Sequence, residues 1–163
     1  MLANLRRSPR LLTVLCVMGL LPGLSLAQAS DPIVGTWNIT VNVTAGCLTE
    51  CRYIGMISFE EGGTVVEQRG TAVEYYRLGN VDPTALGRWW RSSTTSPYPH
   101  QFKAKNFVFS PSTGDLSATI LGTSTITLSS NLQSFTGSGT AKIFNLSGTV
   151  IESETFTITG TRF

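Results

Sequence analysis

The stretch I-V-G-T-W-N-I-T-V-N-V-T, residues 33–44, alternates with a period of two: Ile33, Gly35, Trp37, Ile39, Val41 and Val43 share one face, and Thr36, Asn38, Thr40, Asn42 and Thr44 the other. Successive Cβ atoms of a strand point to opposite sides, so this is the pattern of a half-buried β-strand. Similar runs follow at 53–59, 64–69, 72–78, 86–91, 101–110, 116–129, 133–144 and 149–162. Turn chemistry separates them, at E-E-G-G (60–63), P-S-T-G-D (111–115), S-N (130–131) and N-L-S-G (145–148). No convincing helical period is present. Eight or nine sequential strands joined mostly by short turns predict an all-β fold, an antiparallel up-and-down barrel, because closure removes the exposed strand edges. The least regular part, 79–99, holds Pro83, Pro97, Pro99 and a Ser/Thr run at 92–96, and is expected to form a loop or lid at the barrel mouth.

Outward from the fold, residues 1–29 read as a secretory signal peptide: Arg6, Arg7 and Arg10 precede an apolar run at 11–26, and A-Q-A at 27–29 suits cleavage. Interrupted by Pro22, that run falls short of the roughly 20 apolar residues of a membrane span, and no later stretch approaches it. The expectation is an exported chain, periplasmic or extracellular, with one domain at 30–163 and no transmembrane segment after cleavage. Three of the 12 Lys and Arg residues lie in the leader, which leaves nine against ten acids, a net charge of −1. That balance argues against a nucleic-acid partner. Cys47 and Cys51 are the only cysteines outside the leader. In an oxidising compartment a disulfide across C-L-T-E-C is the preferred reading, with free thiols and a redox pair as alternatives. His100 is the only histidine, so neither a metal site nor another cofactor is expected.

The G-T-W at 35–37, the G-R-W-W at 87–90 and the closing T-G-T-R-F at 159–163 resemble the lipocalin and wider calycin pattern. Together with F-E-E-G-G-T (59–64), F-V-F-S-P-S-T-G-D (107–115) and S-F-T-G-S-G-T-A-K-I-F (134–144), they resemble a group of small exported bacterial lipocalin-like proteins without a general assigned activity. The resemblance implies that Trp37 sits at the closed end of the barrel with Arg162 packed across it. A physical argument points the same way: strand one must meet the last strand to close the barrel, and a guanidinium over an indole contributes on the order of 0.5–2 kcal/mol. Gly35 would permit the close approach. Avidin-type barrels also open with G-T-W, but the polar loop that follows it there is replaced here by I-T-V-N-V-T, and biotin is not expected.

The chain offers no G-x-S-x-G, no H-E-x-x-H and no second histidine to work with His100. His100 therefore reads as a loop or strand-edge residue, and the pair Glu152/Glu154 as a solvated face. Adjacent in one strand, Trp89 and Trp90 must face opposite ways. The leading reading is a non-enzymatic binder of a small apolar or amphiphilic ligand, with contacts from Tyr75, Tyr76, Trp90, Tyr98 and Phe102, and with Arg88 and Arg91 for an anionic headgroup. Two alternatives stand beside it. One is a module that binds an envelope or extracellular protein through a stiff Cys47–Cys51 tip. The other is an isomerase or cyclase on a barrel like that of allene oxide cyclase, which would need interior polar residues such as Asn106 and Glu154.

Overall fold

A computed structural model describes residues 30–46, 52–70, 84–93, 95, 99–110 and 112–163. All its regular elements are strands: β1 (Gly35–Ala45), β2 (Arg52–Phe59), β3 (Thr64–Arg69), β4 (Ala85–Arg91), β5 (Pro99–Phe109), β6 (Leu116–Leu128), β7 (Ser134–Phe144) and β8 (Val150–Arg162). Each pairs antiparallel with its chain neighbour, and β1 pairs with β8, so the eight strands close an up-and-down barrel. The ninth run expected at 72–78 lies outside the described residues, as do the leader, Cys47 and Cys51.

The 79–99 region is not one loop. Its middle forms β4, whose alternation buries Ala85 and Trp89 and exposes Leu86, Arg88 and Trp90. Pro99 opens β5, a position where a residue without an N–H costs no internal ladder bond. Because β4 runs antiparallel to β3, with Thr64 opposite Arg88, it ends beside the β2–β3 turn. The β4–β5 connection therefore departs from the Trp37 end, not from the opposite mouth.

Closure is concentrated at that end. In the β1–β8 ladder Trp37 lies directly opposite Arg162, and the guanidinium carbon sits 4.3 Å from the centre of the indole. Arg162 also donates to three backbone carbonyls, Nη2 to Pro32 at 2.6 Å, Nη1 to Val34 at 3.1 Å and Nε to Leu132 at 3.4 Å. Trp37 Nε1 donates to the Ile33 carbonyl at 2.9 Å, which draws the N-terminal segment under the barrel and buries Ile33 completely. Gly35 adopts φ +128°, and a Cβ there would stand 2.9 Å from Arg162 Nη1, so both backbone and space call for glycine. Above this plug Phe59, Trp89, Phe102 and Phe135 pack edge to face, with ring centres 5.2–6.4 Å apart including Trp37. One half of the interior is thus solid.

Candidate functional site

Toward the far end the lining changes. One register row runs Val65, Gly87, Ala104, Gly122, Ala141 and Glu154 across β3 to β8, so the β4–β7 wall is faced with four small residues. Gly122 lies between the inward-facing Ile120 and Ser124, and a Cβ on it would meet only the Ala104 carbonyl oxygen, at 3.9 Å. A small side chain could stand there without collision. Beyond it Val108, Ile120 and Ala141 form a second apolar cluster with Ile143 and Phe156.

Charged and polar groups enter the same half of the interior. In β3 the inward positions are Val65, Glu67 and Arg69, since Val65 and Glu67 are buried. Glu67 Oε1 accepts hydrogen bonds from Tyr53 Oη and from Arg69 Nε, both at 3.1 Å, and the Arg69 guanidinium lies 4.8 Å from the centre of the Tyr53 ring. Only 5 % of Glu67 and 1 % of Asn106 is exposed. Glu154, half-buried in β8, has its carboxyl pushed up by burial and by the neighbouring Glu152, with Arg69 opposing. It therefore keeps its proton, and its capacity to donate, to a higher pH than an ordinary glutamate. Tyr53 and Arg69 thus donate to the one buried carboxylate of Glu67, and the three side chains form a linked polar group on the inner faces of β2 and β3. Among the described residues no group of three or more His, Cys, Asp or Glu stands ready to hold a metal.

A second polar group belongs to the plug. His100 is fully buried in β5, with Nε2 2.8 Å from Asp31 Oδ1, and Arg91 reaches Asp31 Oδ2 at 2.7 Å. The one histidine is thus a buried strand residue that ties the N-terminal segment to the barrel, where the sequence suggested a loop or edge position. Burial by itself would raise the Asp31 carboxyl. The Ile33 N–H bond, His100 and Arg91 outweigh it and hold the carboxyl below its ordinary value. A depressed native pKa means a stabilising contribution fully present above the unfolded value of about 3.9 and lost as pH falls through the lower native value. Asp31→Asn is therefore expected to cost about 2 kcal/mol at neutral pH, the scale of charge-assisted hydrogen bonds. Its denaturant stability should fall less steeply below about pH 4 than that of the parent.

Among the described residues, the ligand contacts expected from sequence do not share one face of the barrel. Trp90 and Arg88 face outward from β4, with Trp90 43 % exposed. Phe102 is buried edge-on to Phe59 in the solid half, and Arg91 is held by Asp31. Tyr75, Tyr76 and Tyr98 lie outside the described residues. Of the interior polar residues considered for an isomerase, Asn106 is buried and Glu154 half-buried on the inner face, while Glu152 is exposed at the far end. Tyr53, Glu67 and Arg69 were not singled out. In T-V-V-E-Q-R, Val65 and Val66 make either face apolar, and only the register with β2 and β4 decides which turns inward. On the outer wall a separate shallow groove of about 530 Å³ runs past Asn38, Thr40, Ile54, Met56, Gln68 and Thr159.

In comparisons with known proteins the chain matches no protein-family model, no curated protein and no solved structure.

Proposed function

We propose that this protein is a non-enzymatic binder that takes one small amphiphilic molecule into the far half of the barrel, with its apolar body against Gly87, Ala104, Gly122 and Ala141 and its polar group at Tyr53, Glu67 and Arg69. The observation that carries the reading is the row of small residues Gly87, Ala104, Gly122 and Ala141 on one wall of the barrel, where a Cβ added to Gly122 would meet no atom closer than 3.9 Å. An eight-stranded barrel has room for side chains or for one small ligand, and the small residues on the β4–β7 wall support the second option. The resemblance of the G-T-W and T-G-T-R-F motifs to exported lipocalin-like proteins supports the same reading, with the leader directing the chain to the periplasm or the exterior.

A fluorescent fatty acid, cis-parinaric acid, is the probe for the test. Saturable binding with one site per chain is expected, and Gly122→Leu, which fills the space, should raise Kd at least ten-fold, about 1.4 kcal/mol, while keeping the fold. A parent protein that gives no saturable signal would remove the reading. The interior positions of Asn106 and Glu154 favour a second reading, an isomerase or cyclase that uses the Glu154 carboxyl to move a proton. Recovery of the bound molecule chemically rearranged would decide for it.

A further inference from the structure

The strands β4, β5, β6 and β7 contain no Asp or Glu, yet they carry five of the chain's basic residues. Arg91 turns inward to Asp31. The other four, Arg88, Lys103, Lys105 and Lys142, are exposed on the outer wall, and none makes an ion pair among the described residues. The described acids lie elsewhere: Glu67, Glu152 and Glu154 on inward strand positions, Asp31 under the plug, and Glu60, Glu61 and Asp115 in turns. Cross-strand register sharpens the concentration. Arg88 stands directly opposite Lys103, an arrangement of like charges that weakens a sheet, and Lys105 lies on the same face two residues further along β5. Among the described residues, a chain with a net charge near zero thus carries one outer wall whose only charges are cationic.

Large apolar side chains are interleaved with these cations. Leu86, directly opposite Lys105, is 60 % exposed, Trp90 is 43 % exposed, and Phe107, whose ring centre lies 5.5 Å from Lys105 Nζ, is 45 % exposed. Cations alone would suit any polyanion. Three exposed apolar groups among them add what a soluble polyanion does not use: side chains able to enter the headgroup region, where Trp in particular is favoured. We propose that the outer wall of β4–β7 is a docking surface for an anionic lipid membrane, with Arg88, Lys103, Lys105 and Lys142 against headgroup phosphates and Leu86, Trp90 and Phe107 inserted between them. This inference is independent of the lumen.

The test is co-sedimentation of the protein with vesicles of phosphatidylcholine alone and with vesicles containing phosphatidylglycerol, at low and high salt. Binding is expected only to the anionic vesicles and should weaken with salt. Each cation near such a surface contributes about a five-fold factor, so Lys103→Gln/Lys105→Gln should lower the partition coefficient about 25-fold. Leu86→Ser/Trp90→Ser should lower it about ten-fold through lost apolar insertion. Arg52→Gln, a change to an exposed cation on β2 away from this wall, should leave it unchanged. All these positions are exposed, and an unaltered melting temperature verifies the fold of each variant. Equal binding to both vesicle types, no binding, or indifference to the Lys substitutions would overturn the proposal. So would tight binding to dextran sulfate that is lost in the Lys variant and kept in the Leu86/Trp90 variant, since that result assigns the wall to an acidic polymer.

Discussion

Trp37→Ala should destabilise the protein by about 3–5 kcal/mol, the range for truncation of a fully buried aromatic. At roughly 3–4 °C per kcal/mol for a domain of this size, the melting temperature is expected to fall by more than about 10 °C. The effect is large because the side chain serves several neighbours at once. Its ring carries the Arg162 guanidinium, its N–H holds the Ile33 carbonyl, and its ring packs T-shaped with Phe135 at 5.2 Å between centres. Removing it leaves a cavity between β1 and β8, where closure is made, and frees the segment that seals the end. Trp37→Phe retains a ring for Arg162 and Phe135 but loses the bond to Ile33, and should lie between parent and Ala. A melting temperature for Trp37→Ala within a degree or two of the parent would contradict the assignment of Trp37 as the closing plug.

The second large effect concerns a pair of substitutions in the lumen. Glu67→Leu should cost about 3–5 kcal/mol, because it removes the buried carboxylate that accepts from both Tyr53 Oη and Arg69 Nε and breaks a buried ion pair from one side. Glu67→Leu/Arg69→Met should recover most or all of that loss. A buried ion pair replaced by apolar side chains of similar size is often neutral or stabilising, since the desolvation cost disappears with the charges. The same double variant should lose its hold on the polar group of a ligand. Denaturant unfolding beside probe titration separates the two consequences. A double variant that stays as unstable as the single, yet binds the probe normally, would make the cluster a structural device rather than a binding one.

Much of the fold was legible in residues 33–44 and in the long alternating runs of the second half, because a half-buried barrel strand writes its two faces directly into the chain. β4 was harder. Pro83, Pro97 and Pro99 flank it closely, and the adjacent Trp89 and Trp90 carry the same local signal although one is core and the other surface. The site was barely legible, for a reason of register. Gly87, Ala104, Gly122 and Ala141 come from four strands and become one wall only when those strands pair as they do. Glu67 shows no more in sequence than a charged residue in a short strand, since nothing local tells the face of Val65 from that of Val66. Total charge hid the outer wall as well: it sums over the chain, whereas the described acids turn inward or sit at barrel ends and four cations face outward from β4, β5 and β7.

Chemical-shift mapping places a bound molecule directly. In ¹⁵N-labelled protein titrated with cis-parinaric acid, the account predicts saturable shifts at the amides of Gly122, Ala104, Ala141 and Glu67, with little change at Leu86, Arg88 and Trp90. Shifts confined to the outer wall of β4 and β5, with Gly122 and Glu67 unmoved at saturation, would contradict it.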